Sequence, residues 1–246
     1  MNLTIDRPAV IMMVKDEADI IAKCLKHWLD HGVTDFYICD NGSTDWTDKI
    51  IEQLSSGRGM KITLSYDNDP TFAGERIINE LKNKAIEDGH RWIFPADADE
   101  FIQLPHKYSS LSDFLKTVNH NEKPFFLQMR YLNVYPGGGT LWQDPQTKVF
   151  GWFDKNMIIS IGSHLVNGKQ SEVNYSIYYK HYQFRTRRQL KDKIVNHGKA
   201  MTQMGLTDNR YYIWYQDYLK NPSGWIKEKW NELLNAGVDD SAPKWL

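Results

Sequence analysis

Short apolar runs alternate with helical periodicities along the first half of the chain. Ala9–Val14 is a continuous apolar run, typical of a strand covered on both faces. Asp16 is placed to cap the helix that follows, whose apolar positions lie between 20 and 29. The same alternation predicts a strand at 34–39, a helix around 50–54, a strand at 61–66, a helix at 74–88 and a strand at 91–96. This order predicts an α/β fold with a doubly wound, mostly parallel sheet.

The second half of the chain has a different pattern. Ser110 is placed to cap a helix that runs to about Val118, and Phe125–Val134 is a long β-prone stretch. Three further strands are predicted at 148–152, 157–161 and 173–181. Their short connections favour antiparallel pairing, so we expect an antiparallel extension of the sheet.

The chain from Arg187 onward is predicted to be helical. We expect one domain over 1–200 and a helical extension over 201–246 that packs on it. Aromatic residues crowd this extension, and they can cover the core, stack on sugar rings or lie in a membrane interface. The residues are Tyr211, Tyr212, Trp214, Tyr215, Tyr218, Trp225, Trp230 and Trp245. An apolar stripe at helical spacing from Trp225 to Leu234 favours core cover.

Composition excludes several classes of protein. Among 246 residues, charged residues make up 25% and the formal net charge is -1, so no global field favours nucleic acid. Cys24 and Cys39 are too few for a disulfide framework or a zinc site, and we expect both to be reduced core residues. No signal-like segment and no long apolar span occurs, so we expect a cytoplasmic protein, with peripheral contact at the inner face of the membrane as one role for the aromatic tail.

Acidic residues follow three of the predicted strands. Asp97 and Asp99 come directly after a buried run, Glu17 follows the first strand and Asp40 ends the second. Carboxyl ends of parallel strands share one edge of a sheet, where ligands bind. Asp97, Asp99 and the neighbouring Glu100 repel one another, and a bound divalent cation or protonation would relieve that repulsion. A lone Asp-x-Asp is also typical of a solvated acidic turn, so the cluster carries the inference.

Three ordered motifs give the sequence a family resemblance. They are Val14-Lys15-Asp16-Glu17-Ala18-Asp19-Ile20-Ile21, Asp40-Asn41-Gly42-Ser43-Thr44-Asp45 and Asp97-Ala98-Asp99-Glu100-Phe101. Together they resemble the family 2-like glycosyltransferases with the GT-A fold, an α/β/α sandwich with a Rossmann-like sheet and an antiparallel acceptor side. A later His181-Tyr182-Gln183-Phe184-Arg185 resembles the His-Tyr-x-x-Arg motif of one branch. The resemblance is fullest over 9–104, extends to about 199 and is absent beyond.

The resemblance implies roles for the acidic residues. Glu17 and Asp40 would hold the nucleoside of a nucleotide sugar, although Asp40-Asn41-Gly42 alone is equally typical of a tight turn. Asp97 and Asp99 would bind Mn²⁺ or Mg²⁺, with Asp97 also a candidate for the donor itself. His181 is a candidate third metal ligand, and a structural role is the alternative.

The resemblance also implies phosphate ligands and a base. Arg185 and Arg76 are candidates to contact the diphosphate, because guanidinium groups clamp phosphate oxygens. The family's Glu-Asp pair is absent from 130–185, which leaves the general base open. Candidates for catalytic roles are His164, Glu172, Glu100, Asp144 and Asp154.

These expectations combine into one predicted function. The chain would be a metal-dependent, inverting glycosyltransferase that moves a sugar from a nucleoside-diphosphate donor, UDP being the expected nucleotide. The acceptor would be a hydroxyl of a glycan or a lipid-linked sugar. Two alternatives remain: a sugar nucleotidyltransferase, and a non-catalytic protein that binds carbohydrate or nucleotide sugar.

Overall fold

The computed structural model describes residues 7–57, 59–68, 73–118 and 123–236, and it contains one eight-stranded sheet. The strands are β1 (Ala9–Val14), β2 (Asp35–Asp40), β3 (Lys61–Tyr66), β4 (Trp92–Pro95), β5 (Glu100–Gln103), β6 (Phe125–Val134), β7 (Thr140–Trp152) and β8 (Val173–His181). Their order across the sheet is β3-β2-β1-β4-β7-β6-β8-β5.

The helices connect and follow these strands. They are α1 (Ile21–Asp30), α2 (Thr47–Ser55), α3 (Gly74–Glu87), α4 (Leu111–Leu115), α5 (Arg187–Gln203), α6 (Arg210–Lys220) and α7 (Pro222–Asn235). Ser110 caps α4, because its hydroxyl accepts the backbone N–H of Asp113 at 3.2 Å. None of the helices among the described residues is both long enough and apolar enough to cross a bilayer.

The predicted α/β fold is confirmed. β1 pairs in parallel with β2 and β4, and β2 pairs in parallel with β3. β1 and β2 are buried nearly throughout, as their continuous apolar runs predict. β7 pairs antiparallel with β4, and β8 pairs antiparallel with β5, which forms the predicted antiparallel extension. Both cysteines are free thiols and buried, as predicted.

Two local predictions are wrong. Residues 157–161 are not a strand, and only an isolated bridge joins Ile159 to Val166. The N–H groups of Ile158 and Ile159 donate to the side-chain oxygens of Asn167 and Asn79 instead of to a neighbouring strand. Asp16 does not cap α1: its own φ is 54°, and its side chain accepts the N–H of Thr44.

The chain divides into two compact units: Met1–Tyr131 with Gln143–His181, and Leu132–Trp142 with Tyr182–Leu246. In the second unit, α5, α6 and α7 surround a core of Phe184, Leu190, Ile194 and Leu233. The predicted amphipathic helix from Trp225 to Leu234 is confirmed within α7. The predicted boundary at residue 200, and the packing of 201–246 on the rest of the chain, stay predictions.

Candidate functional site

The acidic motifs follow neighbouring parallel strands of the first unit. The register aligns Val14 with Asp40, and Asp40 with Tyr66, so β1, β2 and β3 end level with one another. Backbone hydrogen bonds continue past the strand ends, from Asn41 N–H to the Val14 carbonyl and from Asp67 N–H to the Asp40 carbonyl, both 2.9 Å. The loops after β1, β2 and β3 therefore meet at one edge of the sheet, the carboxyl edge. β4 runs parallel to β1 and ends level with Ile11, so the residues after it continue toward the same edge.

Hydrogen bonds tie the first two loops of the carboxyl edge together. The N–H of Asp16 donates to the Ser43 hydroxyl at 3.0 Å, and the Asp16 carboxylate accepts the N–H of Thr44 at 2.6 Å. The N–H of Glu17 donates to the Thr47 hydroxyl at 2.8 Å. Side chains of the Asp-Asn-Gly-Ser-Thr-Asp motif and of α2 thus hold the backbone that carries Glu17.

Asp40 carries an unsatisfied buried acceptor. The residue is 3% exposed, and its Oδ1 accepts the N–H of Ser43 at 2.7 Å. Its Oδ2 has no hydrogen-bond partner within the described residues. Gly42 beside it has a φ of 69°, a conformation that glycine adopts without strain. Because a buried carboxylate oxygen without a donor is unfavourable, Oδ2 indicates a place for a ligand N–H or O–H.

Lys148 pairs with two carboxylates of the acidic tip, the three residues Asp97, Asp99 and Glu100 that follow β4. Lys148 Nζ lies 2.9 Å from Asp97 Oδ2 and 3.2 Å from Glu100 Oε1. The other oxygen of Glu100 accepts the N–H of Asp97 at 2.9 Å. Glu100 and Lys148 are buried, whereas the Asp97 side chain is about half exposed. The repulsion that we expected a divalent ion or protonation to relieve is therefore relieved, at Asp97 and Glu100, by an ammonium group of the chain itself.

The ionisation of this cluster follows from its burial and its charges. Burial raises the pKa of Glu100 to about 8, although Lys148 acts to lower it. Burial acts to lower the pKa of Lys148, but Asp97 and Glu100 outweigh burial and raise that pKa above its ordinary value. Lys148 is therefore a cation at neutral pH.

Asp99 faces a different partner, His181. β5 and β8 pair so that Glu100 lies opposite His181, which brings His181 Nε2 within 3.6 Å of Asp99 Oδ1. Bonds of about 2.0–2.2 Å to one ion put two neighbouring ligands roughly 3–3.6 Å apart. A carboxylate oxygen and an imidazole nitrogen are also suitable donors for Mn²⁺. Asp99 and His181 therefore fit a pair of metal ligands.

The third predicted ligand, Asp97, is engaged by Lys148 through one oxygen. Within the described part of the chain, no group of three or more His, Cys, Asp or Glu side chains is arranged to hold a metal ion. The fit to a metal thus rests on the Asp99–His181 pair.

The arginine candidates both make contacts inside the chain. Arg76 forms ion pairs with Asp67 at 2.6 Å and Glu80 at 3.1 Å. Arg185 belongs to the second unit, where its Nη1 donates to the Tyr182 carbonyl at 3.1 Å. Their contacts with a diphosphate stay predictions.

The remaining base candidates have different surroundings. His164 Nδ1 lies 2.6 Å from the Thr147 carbonyl, next to Lys148 in sequence. The Glu172 carbonyl accepts the N–H of Gln128 on β6, and Asp154 accepts the N–H groups of Asn156 and Met157. The Asp144 side chain, Asp69, Pro70 and Trp245 lie outside the described residues.

Lys148, which contacts the acidic tip from β7, is the site residue that the sequence analysis missed. It stands in β7 beside Val149 and Phe150, a buried apolar stretch. A lysine at such a position is a signal for a buried acidic partner, since charged side chains are rarely buried unless paired.

Fold and side chains together define a class: an α/β protein with a cluster of acidic residues at the carboxyl ends of its parallel strands. No family model and no curated protein matches the chain. Solved structures that match include S. aureus TarS in complex with UDP-GlcNAc, at 17% identity and a TM-score of 0.40, over 52% of this chain and 35% of that one. TarS in complex with UDP matches at 12% identity and a TM-score of 0.45, over 79% of this chain and 65% of that one.

Another match is the mannosyltransferase PcManGT from Pyrobaculum calidifontis, in complex with GDP-Man and Mn²⁺. Its identity is 12% and its TM-score 0.49, over 96% of this chain and 76% of that one. The chain spans between about a third and two thirds of the TarS chains. Likeness at this level does not carry function from those proteins to this one.

Proposed function

We propose that the protein is a glycosyltransferase that uses a nucleoside-diphosphate sugar as donor. The buried, unsatisfied Oδ2 of Asp40 carries the proposal, because it offers an acceptor to a base N–H or a ribose hydroxyl at the carboxyl edge. Glu17 lies on the loop that Ser43, Thr44 and Thr47 hold in place, and it completes the nucleoside site. The three ordered motifs that resemble GT-A glycosyltransferases support the same function.

The other residues of the carboxyl edge bind the diphosphate and the metal. Asp99 and His181 hold a divalent ion, Mn²⁺ or Mg²⁺, with Asp97 beside them. The bound ion supplies positive charge where negative charge develops on the leaving nucleotide. Lys148 fixes one oxygen of Asp97. Arg76 contacts the donor from the start of α3.

The reaction we propose is inverting transfer, from a UDP-linked donor to a hydroxyl of a glycan or lipid-linked acceptor. A sugar nucleotidyltransferase is disfavoured, because it needs a glycine-rich basic loop after β1. Here that loop carries Asp16 and Glu17. Intact Asp97 and Asp99 disfavour a non-catalytic protein that keeps the fold and only binds carbohydrate or nucleotide sugar, because loss of turnover would make these residues of the motif dispensable.

The test is a thermal-shift screen with UDP, GDP, UDP-glucose, UDP-GlcNAc and GDP-mannose, with and without Mn²⁺. Bound nucleotides should raise the melting temperature by mass action. Asp40→Asn places an amide N–H₂ or an uncharged oxygen where the ligand donates, so the nucleotide Kd should rise at least about tenfold. Asp30→Asn, on the exposed end of α1, is the matched control and should bind as the wild type does.

Product analysis separates the rival functions. Release of the nucleoside diphosphate from the donor supports transfer. Formation of pyrophosphate from a nucleoside triphosphate and a sugar phosphate would indicate a nucleotidyltransferase. Tight binding without any release would indicate a binding protein, and equal Kd values for wild type and Asp40→Asn would remove Asp40 from the site.

A further inference from the structure

The turn before His164 has a strained backbone. Gly162 and Ser163 adopt left-handed φ angles of 71° and 57° in succession, and Ser163 is a buried non-glycine residue. The left-handed region is unfavourable for an L-residue such as Ser163. Strain of this kind persists only where surrounding contacts hold it, and it clusters at functional sites.

Several hydrogen bonds hold the strained turn. The Ser160 N–H donates to the Leu165 carbonyl at 3.0 Å, and the Leu165 N–H donates to the Ser160 hydroxyl at 3.0 Å. The amide of Gln128, a buried side chain of β6, donates to the His164 carbonyl at 2.7 Å. The backbone of His164 is thus fixed from β6 as well as from its own turn.

The imidazole of His164 has a defined tautomer. Its Nδ1 lies 2.6 Å from the Thr147 carbonyl, and a carbonyl can only accept, so Nδ1 carries the proton. Nε2 therefore presents a lone pair, and it makes no hydrogen bond within the described residues. A Cβ on Gly162 would lie 2.8 Å from Nε2, so glycine at this position leaves the nitrogen uncovered.

The charged groups around His164 are those of the acidic tip. Thr147 precedes Lys148, whose ammonium binds Asp97. Burial lowers the pKa of His164, and the hydrogen bond to the Thr147 carbonyl acts to raise it. Lys148 acts to lower the same pKa and Asp97 acts to raise it. The imidazole is therefore neutral at pH 7, the form that accepts a proton.

We propose that Nε2 of His164 is the general base of the transfer reaction. The inference rests on the proposed function. The acceptor oxygen bonds to the anomeric carbon while its proton passes to Nε2. The bond between that carbon and the diphosphate oxygen breaks, and its electron pair leaves with the nucleotide. Imidazolium then returns the proton to water. Glu100 does not serve as base, because Lys148 and the Asp97 N–H already engage its carboxylate.

The test compares His164→Gln, Glu172→Gln and wild type in hydrolysis of UDP-glucose, UDP-GlcNAc and GDP-mannose with Mn²⁺, where water is the acceptor. Rates of nucleoside diphosphate release are measured from pH 5 to 9. Wild-type kcat should increase as the pH rises toward 6.5, because His164 loses its proton over this acidic limb of the profile. His164→Gln should lose that limb and about 10²–10⁴-fold in kcat while donor Kd changes less than about twofold.

His31→Gln is the matched control. His31 also contacts a backbone carbonyl through Nδ1, that of His27 at 2.8 Å, but it follows α1 at the opposite edge of the sheet. Its kcat and pH profile should equal those of the wild type. A ¹⁵N NMR spectrum of the wild type gives a readout that does not depend on turnover: His164 should be protonated on Nδ1 and unprotonated on Nε2 at pH 7.

Three results would overturn the assignment. His164→Gln with wild-type kcat and an intact acidic limb would do so, as would loss of turnover in Glu172→Gln alone, which would make Glu172 the base. A proton on Nε2 instead of Nδ1 at pH 7 would do so as well. A wild-type chain that does not bind the donors, or binds them without releasing the nucleoside diphosphate, overturns the proposed function itself, whereas hydrolysis that His164→Gln leaves unchanged overturns the base alone.

Discussion

Two histidine–aspartate pairs in the first unit have nearly the same geometry. His181 Nε2 lies 3.6 Å from Asp99, and His90 Nε2 lies 3.5 Å from Asp35. Each imidazole also packs edge-on against a tyrosine ring. They differ in position, since Asp35 begins β2, at the end of the sheet opposite the carboxyl edge. Geometry alone therefore does not make a metal site, and the proposal for Asp99 and His181 depends on their position at the carboxyl edge.

The comparison of these pairs gives a matched test of metal binding. His181→Ala should raise the Kd for Mn²⁺ at least about tenfold, because it removes one of the two proposed metal ligands. His90→Ala should lower the stability of the fold and leave the Kd for Mn²⁺ unchanged. Calorimetric titration with Mn²⁺, with and without UDP, measures both. Equal metal affinity in His181→Ala and wild type would return His181 to a structural role.

Lys148 marks the limit of prediction at the residue scale. The sequence places Asp97 and Glu100 together because they are three residues apart behind one strand. Lys148 reaches them from 51 residues along the chain. That contact depends on β7 pairing beside β4, a neighbour relation that periodicity along the sequence does not contain. The acidic cluster was predictable, whereas its internal cation was not.

At the scale of elements, a buried lysine ties α3 to the segment after β7. Lys82 of α3 is fully buried, and its Nζ donates to the carbonyls of Lys155 and Met157. Burial lowers its pKa from 10.5 to about 8, and Asp154 acts in the opposite direction. The lysine holds the chain that leads into the strained turn at 161–163 against the helix that begins at Gly74.

This lysine predicts a pH dependence of stability. Between pH 8 and 10.5, the unfolded chain keeps a proton on Lys82 that the folded chain has lost. The free energy of unfolding should therefore rise with pH across that window through this group. Lys82→Met should remove that contribution, while Lys84→Met, on an exposed lysine of the same helix, should keep it. Urea denaturation from pH 7 to 10.5 measures the slopes, and equal slopes in Lys82→Met and wild type would contradict the prediction.

Regular elements were predictable where one periodicity runs uninterrupted. The β-prone stretch from Phe125 to Val134 coincides with β6, and the helix predicted at 74–88 with α3. The errors fall at turns. Asp16 has the residue type and position of a helix cap, but its side chain bonds to the loop after β2 instead. Residues 157–161 are apolar like a strand, yet the N–H groups of Ile158 and Ile159 donate to the side-chain oxygens of Asn167 and Asn79, which shapes the segment as a loop. Such bonds join segments far apart in sequence, so local patterns do not predict them.

At the scale of the whole molecule, the second unit has a core of its own. Leu190 and Ile194 of α5 and Leu233 of α7 are buried in it, and aromatic side chains of α6 and α7 pack around them. Lys229 Nζ lies 4.8 Å from the ring centre of Trp214 and 5.9 Å from that of Trp225, which adds cation–π attraction between the two helices. The crowded aromatics of the tail therefore serve at least the packing of this unit.

Truncation before Asn221 tests whether that packing is essential. Removing α7 exposes Leu190 and Ile194 and leaves the apolar faces of α5 and α6 without cover, so we expect insoluble or strongly destabilised protein. Leu233 and Leu234 provide a matched pair, since Leu233 is 6% exposed and Leu234 is 37% exposed. Leu233→Ala should lower the free energy of unfolding by about 2–5 kcal/mol and Leu234→Ala by less than about 1 kcal/mol.

The two other roles of the aromatic tail give different outcomes for the same truncation. A soluble truncated protein that binds the nucleotide and no longer transfers sugar would make the tail an acceptor platform. A soluble truncated protein that keeps activity and loses co-sedimentation with anionic vesicles would make it a membrane contact. Core packing predicts a third result: the truncated protein has a lower denaturation midpoint than the wild type, even where it still binds the nucleotide. The Leu233→Ala variant measures this without deleting a single aromatic residue, because the lost leucine lies inside the core while Trp225 and Trp230 remain.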